Sequence, residues 1–293
     1  MTLGEQLKAL ATAENLPASY PAMAERWFLP LADWLVQRQA TLGAPLLVGL
    51  NGAQGTGKTT ACAALCLMLE SRGLRPVTLS LDDFYLDRET RARLACEVHP
   101  LLITRGVPGT HEITLLESTL EAVAAGRAIK APVFDKAIDD RLPETDWREV
   151  GPADVVLLEG WCIGAGAEPA AALESPINAL EANEDADACW RRYVNEQLAG
   201  PYASLFARLH CLVMLKAPSL ARVLEWRSLQ EAKLAHRRSG SGVMNTGEIK
   251  RFVEHYERVT RHCLDDLPRR VDYLLEVAED HSICGASQRE TAA

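Results

Sequence analysis

The feature that most constrains this chain is a glycine-rich octapeptide at residues 52–59, Gly-Ala-Gln-Gly-Thr-Gly-Lys-Thr. Its spacing, G-x-x-x-x-G-K-T, is that of a phosphate-binding loop. An apolar run at 45–50 precedes it and a helix-favouring run at 60–69 follows it, as the motif requires. Glycines let such a loop wrap closely round phosphates, and the backbone N–H groups and the helix N-terminus attract the anion. We therefore expect the chain to bind a nucleoside triphosphate.

The loop side chains have separate expected roles. The lysine of this motif reaches the β- and γ-phosphates, and the hydroxyl of the next residue helps to hold Mg²⁺. Lys58 and Thr59 take these roles here, and ATP and Mg²⁺ are the expected cofactors. The expected nucleotide-binding residues of this region are Gly52, Ala53, Gln54, Gly55, Thr56, Gly57, Lys58, Thr59 and Thr60.

Composition and charge narrow the class of protein. The 293 residues carry a formal charge of −9, which argues against a broad nucleic-acid surface. No uncharged apolar stretch reaches the roughly 18 residues of a membrane span, and residues 1–8 lack the pattern of a secretory signal. The eight cysteines are scattered without a C-x-x-C pair, as in reducing cytoplasm. We expect a cytoplasmic protein with a small-molecule acceptor as its partner, no nucleic acid and no membrane; the oligomeric state stays open.

From residue 45 onward, apolar runs alternate with helical patterns. That alternation is typical of a parallel sheet with helices on both faces. With the loop motif, it predicts an α/β fold of the P-loop NTPase type. We expect a helical N-terminal extension packed on the core (1–44), a P-loop domain (45–278) with a lid at about 222–246, and a disordered tail (279–293). The acidic stretch at 181–187 is interpreted as a solvated loop.

Carboxylates follow two of the predicted strands. Asp82 and Asp83 come after the apolar run at 76–81, and Glu159 comes after the run at 154–158. In open parallel sheets, ligands bind outside the carboxyl ends of the strands. A carboxylate there is suited to orienting Mg²⁺ or to accepting a proton from a substrate hydroxyl. We expect all three to serve the site, and leave open which of Asp82 and Asp83 is the base.

Three further segments carry charge that is suited to the site. The basic pattern at 226–238, which includes Arg227, Arg237 and Arg238, runs into a Gly/Ser break at 239–242. It is typical of a mobile lid whose arginines close over phosphates. The charged segments at 104–111 and 132–141 are suited to a small anionic or polyhydroxyl substrate.

The ordered set of these motifs resembles the glycerate 3-kinase family of P-loop small-molecule kinases, related more distantly to uridine kinase, phosphoribulokinase and pantothenate kinase. The resemblance covers roughly residues 20–278. It is carried by residues 49–59, Leu-Asp-Asp-Phe-Tyr at 81–85, Arg-Gly-Val-Pro-Gly-Thr-His at 105–111, residues 134–141, residues 155–161 and Trp-Arg-Ser-Leu-Gln-Glu at 226–231.

The resemblance implies roles for individual residues. Asp82 corresponds to the general base, with Lys58 and Arg227 as the other expected catalytic residues. Thr59, Glu159 and Asp82 are the expected metal-site residues, and Arg237 joins the nucleotide-binding set. The expected substrate residues are Asp83, Tyr85, Arg105, His111, Asp135, Lys136 and Arg141.

The resemblance implies transfer of the γ-phosphate of ATP to a hydroxyl of a small polar metabolite, D-glycerate first among them. A nucleoside- or pantothenate-type alcohol is the alternative acceptor. Phe84, Tyr85, Phe134 and Trp161 leave stacking on a nucleoside open. A different class, an ATP-dependent regulatory switch, would form a nucleotide-dependent complex without acceptor-stimulated ADP release.

Overall fold

A computed structural model describes residues 1–223, 225–227 and 246–289. Its centre is a six-stranded sheet of order β10-β9-β8-β1-β7-β2, parallel except for the antiparallel β10. The sheet strands are β1 (Leu46–Gly52), β2 (Pro76–Ser80), β7 (Val155–Gly160), β8 (Cys211–Lys216), β9 (Tyr273–Val277) and β10 (Ile283–Gln288). Two short antiparallel pairs stand apart: β3 (Ile129–Ala131) with β6 (Arg148–Val150), and β4 (Phe134–Asp135) with β5 (Asp140–Arg141).

Helices cover both faces of the sheet, so the prediction of an α/β fold is confirmed. They are α1 (Leu3–Ala13), α2 (Tyr20–Leu42), α3 (Lys58–Glu70), α4 (Arg88–Glu97), α5 (Ile113–Ala124), α6 (Ala179–Glu184), α7 (Cys189–Gln197), α8 (Ala203–Phe206) and α9 (Thr246–Asp266). Neighbouring residues of β7 belong to the hydrophobic cores on opposite faces of the sheet. Val155 lies in the core that includes residues of α1, α2 and α3, whereas Val156 lies in the core that includes residues of α5, α7 and α9. That alternation follows from the two-residue period of a strand.

The register of the sheet brings together the carboxyl ends of β1, β2 and β7, where the sequence predicts the site. Leu50 of β1 and Ser80 of β2 both pair with Glu159 of β7. The phosphate-binding loop follows β1, and a single 3₁₀ turn (Leu81–Phe84) follows β2. The phosphate-binding loop, the 3₁₀ turn and Glu159 therefore lie together at the carboxyl ends of the parallel strands.

Residues 279–289 do not form a disordered tail, so that expectation is wrong for this segment. β10 pairs with β9 from Ile283 opposite Val277 to Gln288 opposite Tyr273. Ile283 is buried, but the other β10 side chains are exposed or half-buried. An edge strand gains its stability largely from main-chain hydrogen bonds, which composition does not reveal. Residues 290–293 lie outside the described part of the chain.

The acidic stretch at 181–187 is not a solvated loop, and that interpretation is also wrong. Glu181 is fully buried in α6 and forms an ion pair with Arg258 of α9 at 2.7 Å. Asp185 is buried as well and pairs with Arg191 of α7 at 2.9 Å. Buried carboxylates are stable only when they are paired and hydrogen-bonded. The partner of Glu181 comes from a helix 77 residues away, whereas Arg191 lies only 6 residues after Asp185.

Two features raised by the composition can be described directly in the structure. All eight cysteines lie in the described residues, and all are free thiols. Of the helices that the structure describes, none combines the length and the apolar character needed to cross a bilayer.

Candidate active site

The loop between β1 and α3 has the backbone shape that its glycines permit. Gly55 and Gly57 adopt φ of 81° and 86°, a region that disfavours residues with a side chain. Gly52 has no room for one, because a Cβ there would lie 2.6 Å from Thr56 Oγ1. The Lys58 ammonium donates a hydrogen bond to the Ala53 carbonyl oxygen at 3.2 Å. Lys58 therefore lies over the loop, where an anion bound by the loop amides would be in reach.

Thr59 and Glu159 form the metal side of the site. The Thr59 hydroxyl donates a hydrogen bond to Glu159 Oε1 at 3.2 Å. Glu159 is only 5% exposed, at the point where β7 leaves the sheet beside the loop. A hydroxyl and a carboxylate are the hard oxygen ligands that Mg²⁺ prefers, alongside substrate phosphates. The donor set fits Mg²⁺.

Asp82 lies on the 3₁₀ turn after β2 and is held by two donors. Lys136 Nζ donates to its Oδ2 at 2.6 Å, and the Tyr85 hydroxyl donates to its Oδ1 at 2.7 Å. Burial alone would raise the pKa of Asp82, but the Lys136 ammonium, the Tyr85 hydrogen bond and the charge of Lys58 lower it to about 2. Asp82 is therefore a carboxylate at neutral pH, hydrogen-bonded to Lys136 and within the electrostatic influence of Lys58.

Asp83 differs from Asp82 in its hydrogen-bond partner and in the direction of its pKa shift. Its Oδ1 accepts a hydrogen bond from the backbone N–H of Phe134 at 3.4 Å, which ties the turn to β4. Burial raises the pKa of Asp83. Its hydrogen-bonding role is thus to anchor the β4–β5 hairpin, whereas Asp82 is the carboxylate that is hydrogen-bonded to Lys136 and whose pKa both lysines lower.

The remaining cations of the predicted substrate set have partners within the protein. Arg105 forms an ion pair with Asp139 in the β4–β5 turn, and Arg141 lies 3.7 Å from Asp87. Asp135 accepts a hydrogen bond from the backbone N–H of Ala137 at 2.7 Å. Of this set, Lys136 and Tyr85 are the two that hydrogen-bond Asp82, while Arg105, Arg141 and Asp135 shape the hairpin beside it.

Sequence reasoning missed Arg91, which supports the same hairpin. Its side chain is 1% exposed and lies 3.1 Å from Asp139. It also donates to the backbone carbonyls of Leu86 and Ile103. An arginine in a helix of mixed charge gives no sequence signal of this kind, because most of its partners are main-chain oxygens and Asp139 lies 48 residues away.

His111 lies buried behind Tyr85. The two ring centroids are 4.8 Å apart and the rings are tilted by 34°. Burial lowers the pKa of His111 to about 4, an effect that the charge of Asp82 opposes, so the ring is neutral at pH 7. Its Nδ1 lies 2.5 Å from the hydroxyl of Tyr202, a residue that no motif indicated.

The beginning of the predicted lid reaches the phosphate-binding loop. A Cβ on Gly55 would lie 2.7 Å from the Cβ of Trp226, and the Arg227 guanidinium stacks over the Phe252 ring at 4.7 Å. His281 stacks on Trp226 and donates to the Gly55 carbonyl oxygen at 3.0 Å. The sequence does not predict this contact, because His281 lies in the segment expected to be a disordered tail. Arg237, Arg238 and the rest of the lid lie outside the described residues.

Comparison with known proteins extends these observations. The chain is 33% identical over 227 residues to the uncharacterized kinase mug58 of Schizosaccharomyces pombe, covering 73% of this chain and 79% of that protein. It is 30% identical over 275 residues to the chloroplastic D-glycerate 3-kinase of Arabidopsis thaliana, covering 86% of this chain but 58% of that longer protein. The solved D-glycerate 3-kinase of Cryptococcus neoformans superposes with a TM-score of 0.74 at 26% identity, over 92% of this chain and 99% of that one. No protein-family model matches the chain.

Phosphoryl transfer needs a held triphosphate, oxygen ligands for a metal and a carboxylate near the acceptor. The fold, the loop and these relatives define the class as a P-loop ATP-dependent kinase. The resemblance noted from the motifs is confirmed. The chain belongs to the glycerate 3-kinase family of P-loop small-molecule kinases.

Proposed function

We propose that this protein transfers the γ-phosphate of ATP to a hydroxyl of D-glycerate in the cytoplasm. The observation that carries the proposal is the placement of Asp82, an ionised carboxylate hydrogen-bonded to Lys136 at 2.6 Å and lying within the field of Lys58. Lys58 belongs to the donor side and Lys136 to the acceptor side. A reacting hydroxyl beside Asp82 would therefore lie between the triphosphate and a cation that attracts an acid.

The proposed step uses groups already in place. The acceptor hydroxyl oxygen attacks the γ-phosphorus, the bond to the β–γ bridging oxygen breaks, ADP leaves, and Asp82 takes the hydroxyl proton. Phosphoryl transfer passes through a loose transition state, so orienting the hydroxyl contributes more than early proton removal. That suits a carboxylate with a pKa of about 2, which is a weak base. Lys58 and the loop amides would hold the phosphates.

Thr59 and Glu159 would hold Mg²⁺, directly or through its water shell. The metal, when bound, neutralises charge on the phosphate oxygens. The buried Glu159 carboxylate supplies the negative charge that compensates the ion, and its hydrogen bond keeps the Thr59 hydroxyl beside it.

A small acid is favoured over a nucleoside by the packing of the aromatic residues. Phe84, Tyr85, Phe134 and Trp161 are all 6% exposed or less. Tyr85 packs edge-on against Phe134 at 5.0 Å, and Trp161 packs edge-on against Tyr256 at 5.0 Å. Rings that are covered by other side chains offer no face on which a base can stack. Lys136, whose side chain is 59% exposed, is by contrast accessible to a carboxylate. The relatives named D-glycerate 3-kinase support the same choice.

An assay of ADP release from Mg²⁺·ATP tests the proposal. The acceptors are D-glycerate, L-glycerate, uridine and pantothenate, and the Lys58→Ala protein is the control for contaminating kinases. We expect D-glycerate to stimulate release well above the rate without acceptor. Stimulation by uridine or pantothenate instead would replace D-glycerate with the alternative acceptor. A response to none of the four, together with a nucleotide-dependent protein complex, would favour the regulatory switch.

A further inference from the structure

The hydroxyl of Tyr202 is the hydrogen-bond partner of His111 Nδ1. The backbone N–H of Gly109 donates a hydrogen bond to the Tyr202 oxygen at 3.0 Å. An N–H group cannot accept in return, so of these two neighbours only His111 Nδ1, 2.5 Å away, can accept the hydroxyl proton. Nδ1 is therefore an acceptor, and a neutral ring in that state carries its proton on Nε2.

The opposite nitrogen of the same ring lacks a hydrogen-bond partner. His111 Nε2 is buried, and no group in the described part of the chain accepts a hydrogen bond from it. A buried N–H without an acceptor is unfavourable, so such a group in a native protein calls for an explanation. The two nitrogens thus differ: Nδ1 is within hydrogen-bond distance of the Tyr202 hydroxyl, while Nε2 has no partner among the described residues.

The surroundings of His111 connect this donor to the proposed acceptor site. The ring stacks on Tyr85 at a centroid distance of 4.8 Å, and the Tyr85 hydroxyl donates to Asp82. His111 also takes part in an isolated backbone bridge with Tyr85, so the two residues are held together by main chain and side chain. His111 is thus held against Tyr85 and lies close enough to Asp82 for the carboxylate charge to act on its ring.

We propose that Tyr202 is a positioning residue that holds His111 with its proton on Nε2, so that His111 donates a hydrogen bond to an oxygen atom of the acceptor. The inference rests on the proposed function, because it assigns a second contact to the same acceptor. Because the His111 Nε2–H group is a hydrogen-bond donor, this part of the pocket selects an acceptor molecule with an oxygen atom there, in a hydroxyl or a carboxylate. A neutral donor makes that contact without adding a cation to the one that Lys136 supplies.

The tautomer is measured first, in the free protein labelled with ¹⁵N-histidine. The chain has seven histidines, and a His111→Gln spectrum assigns the signal. We expect wild-type His111 to show a protonated Nε2 and an unprotonated Nδ1 across neutral pH. In Tyr202→Phe we expect a mixture of both tautomers. A wild-type proton on Nδ1 overturns the inference, whatever the substrate is.

The acceptor contact is measured next by kinetics. Because only the Nε2-protonated fraction of His111 can make the contact, an even mixture of tautomers in Tyr202→Phe predicts a rise of about twofold in the KM for D-glycerate, with the KM for ATP unchanged. Tyr193→Phe is the matched control, because Tyr193 packs beside Gly109 but is not the residue bonded to His111. It should leave the KM for D-glycerate unchanged.

A double-mutant cycle separates the proposed role from a general loss of packing. The amide of Gln offers an N–H near the Nε2 position without any tautomer, so the KM effect of Tyr202→Phe should vanish in the His111→Gln protein. An equal KM effect in both backgrounds overturns the inference, as does an unchanged KM in Tyr202→Phe. A wild type that does not phosphorylate D-glycerate refutes the proposed function, which the tautomer measurement does not depend on.

Discussion

Lys136 Nζ lies 2.6 Å from Asp82 Oδ2, and this ion pair joins the two halves of the site. Asp82 is positioned by the main sheet, at the end of β2, whereas Lys136 belongs to the separate β4–β5 hairpin. The hairpin is in turn held by Asp83, which accepts from the backbone of Phe134, and by the ion pair of Arg105 with Asp139. The position of one lysine therefore depends on contacts from three segments of the chain.

Lys136→Met is expected to move the acidic limb of kcat/KM to higher pH. Burial favours the protonated form of Asp82, and Lys136 is the largest opposing influence that keeps its pKa at about 2. In the wild type Asp82 stays ionised until the pH falls to about 2, so its protonation sets no limb at higher pH. Without the ammonium, the pKa rises and the carboxylate is lost earlier on acidification. The measurement is a pH–rate profile with Lys130→Met, an exposed lysine of β3, as the control. Superimposable profiles of the Lys136→Met and wild-type proteins would show that Lys136 does not control the pKa of Asp82.

Asp82→Asn and Asp83→Asn are expected to separate the two neighbouring carboxylates. Loss of a general base costs about 10²–10⁴-fold in rate, so kcat of Asp82→Asn should fall within that range. Its affinity for ATP, measured by calorimetry, should stay close to that of the wild type. Asp83→Asn should lower thermal stability through the weakened hairpin and reduce kcat much less. The reverse order of the two kcat values would transfer the base role to Asp83.

Arg258→Met is expected to destabilise the protein far more than a surface change on the same helix. Arg258 is 9% exposed and pairs with Glu181, which has no exposure. Removing one partner leaves an uncompensated buried charge, which costs about 3–5 kcal/mol in the free energy of unfolding. Arg251→Met, which breaks the exposed pair with Glu184, should cost less than about 1 kcal/mol. Urea denaturation measures both, and similar losses would mean that the buried pair is not the stronger support.

Truncation before Ile283 is expected to lower the free energy of unfolding by about 2–4 kcal/mol, because it removes one buried isoleucine and the hydrogen bonds between β10 and β9. Truncation before Glu290 leaves β10 complete and is the control. Urea denaturation of the two proteins gives the difference. Equal stabilities would show that β10 contributes little to the folded state.

The sequence predicts the donor half of the site better than the acceptor half. Lys58, Thr59 and Glu159 are predictable because a loop motif and a strand end fix them within a few residues, and parallel strands end at one edge. The pairs that define the other half join distant segments: His111 meets Tyr202 across 91 positions, and Lys136 meets Asp82 across 54. The same holds for Glu181, whose partner Arg258 is 77 residues away. A local sequence pattern shows which residues are charged and which face of a helix or strand is apolar. It does not show which distant residue will be the partner of a given side chain in the folded protein.

Thr59→Val is expected to raise the Mg²⁺ concentration needed for half-maximal activity. The Thr59 hydroxyl is bonded to Glu159 Oε1 at 3.2 Å, and both oxygens belong to the proposed metal site. Valine has nearly the same shape but no oxygen, so α3 can begin unchanged while one ligand is lost. Changes in and around metal ligands cost about 10–100-fold in metal affinity or activity, and we expect a shift of that size. Thr59→Ser, which keeps the hydroxyl, should remain near the wild-type Mg²⁺ requirement. Titration of Mg²⁺ at fixed, saturating ATP measures all three proteins, and an equal requirement in Thr59→Val and wild type would remove Thr59 from the metal site.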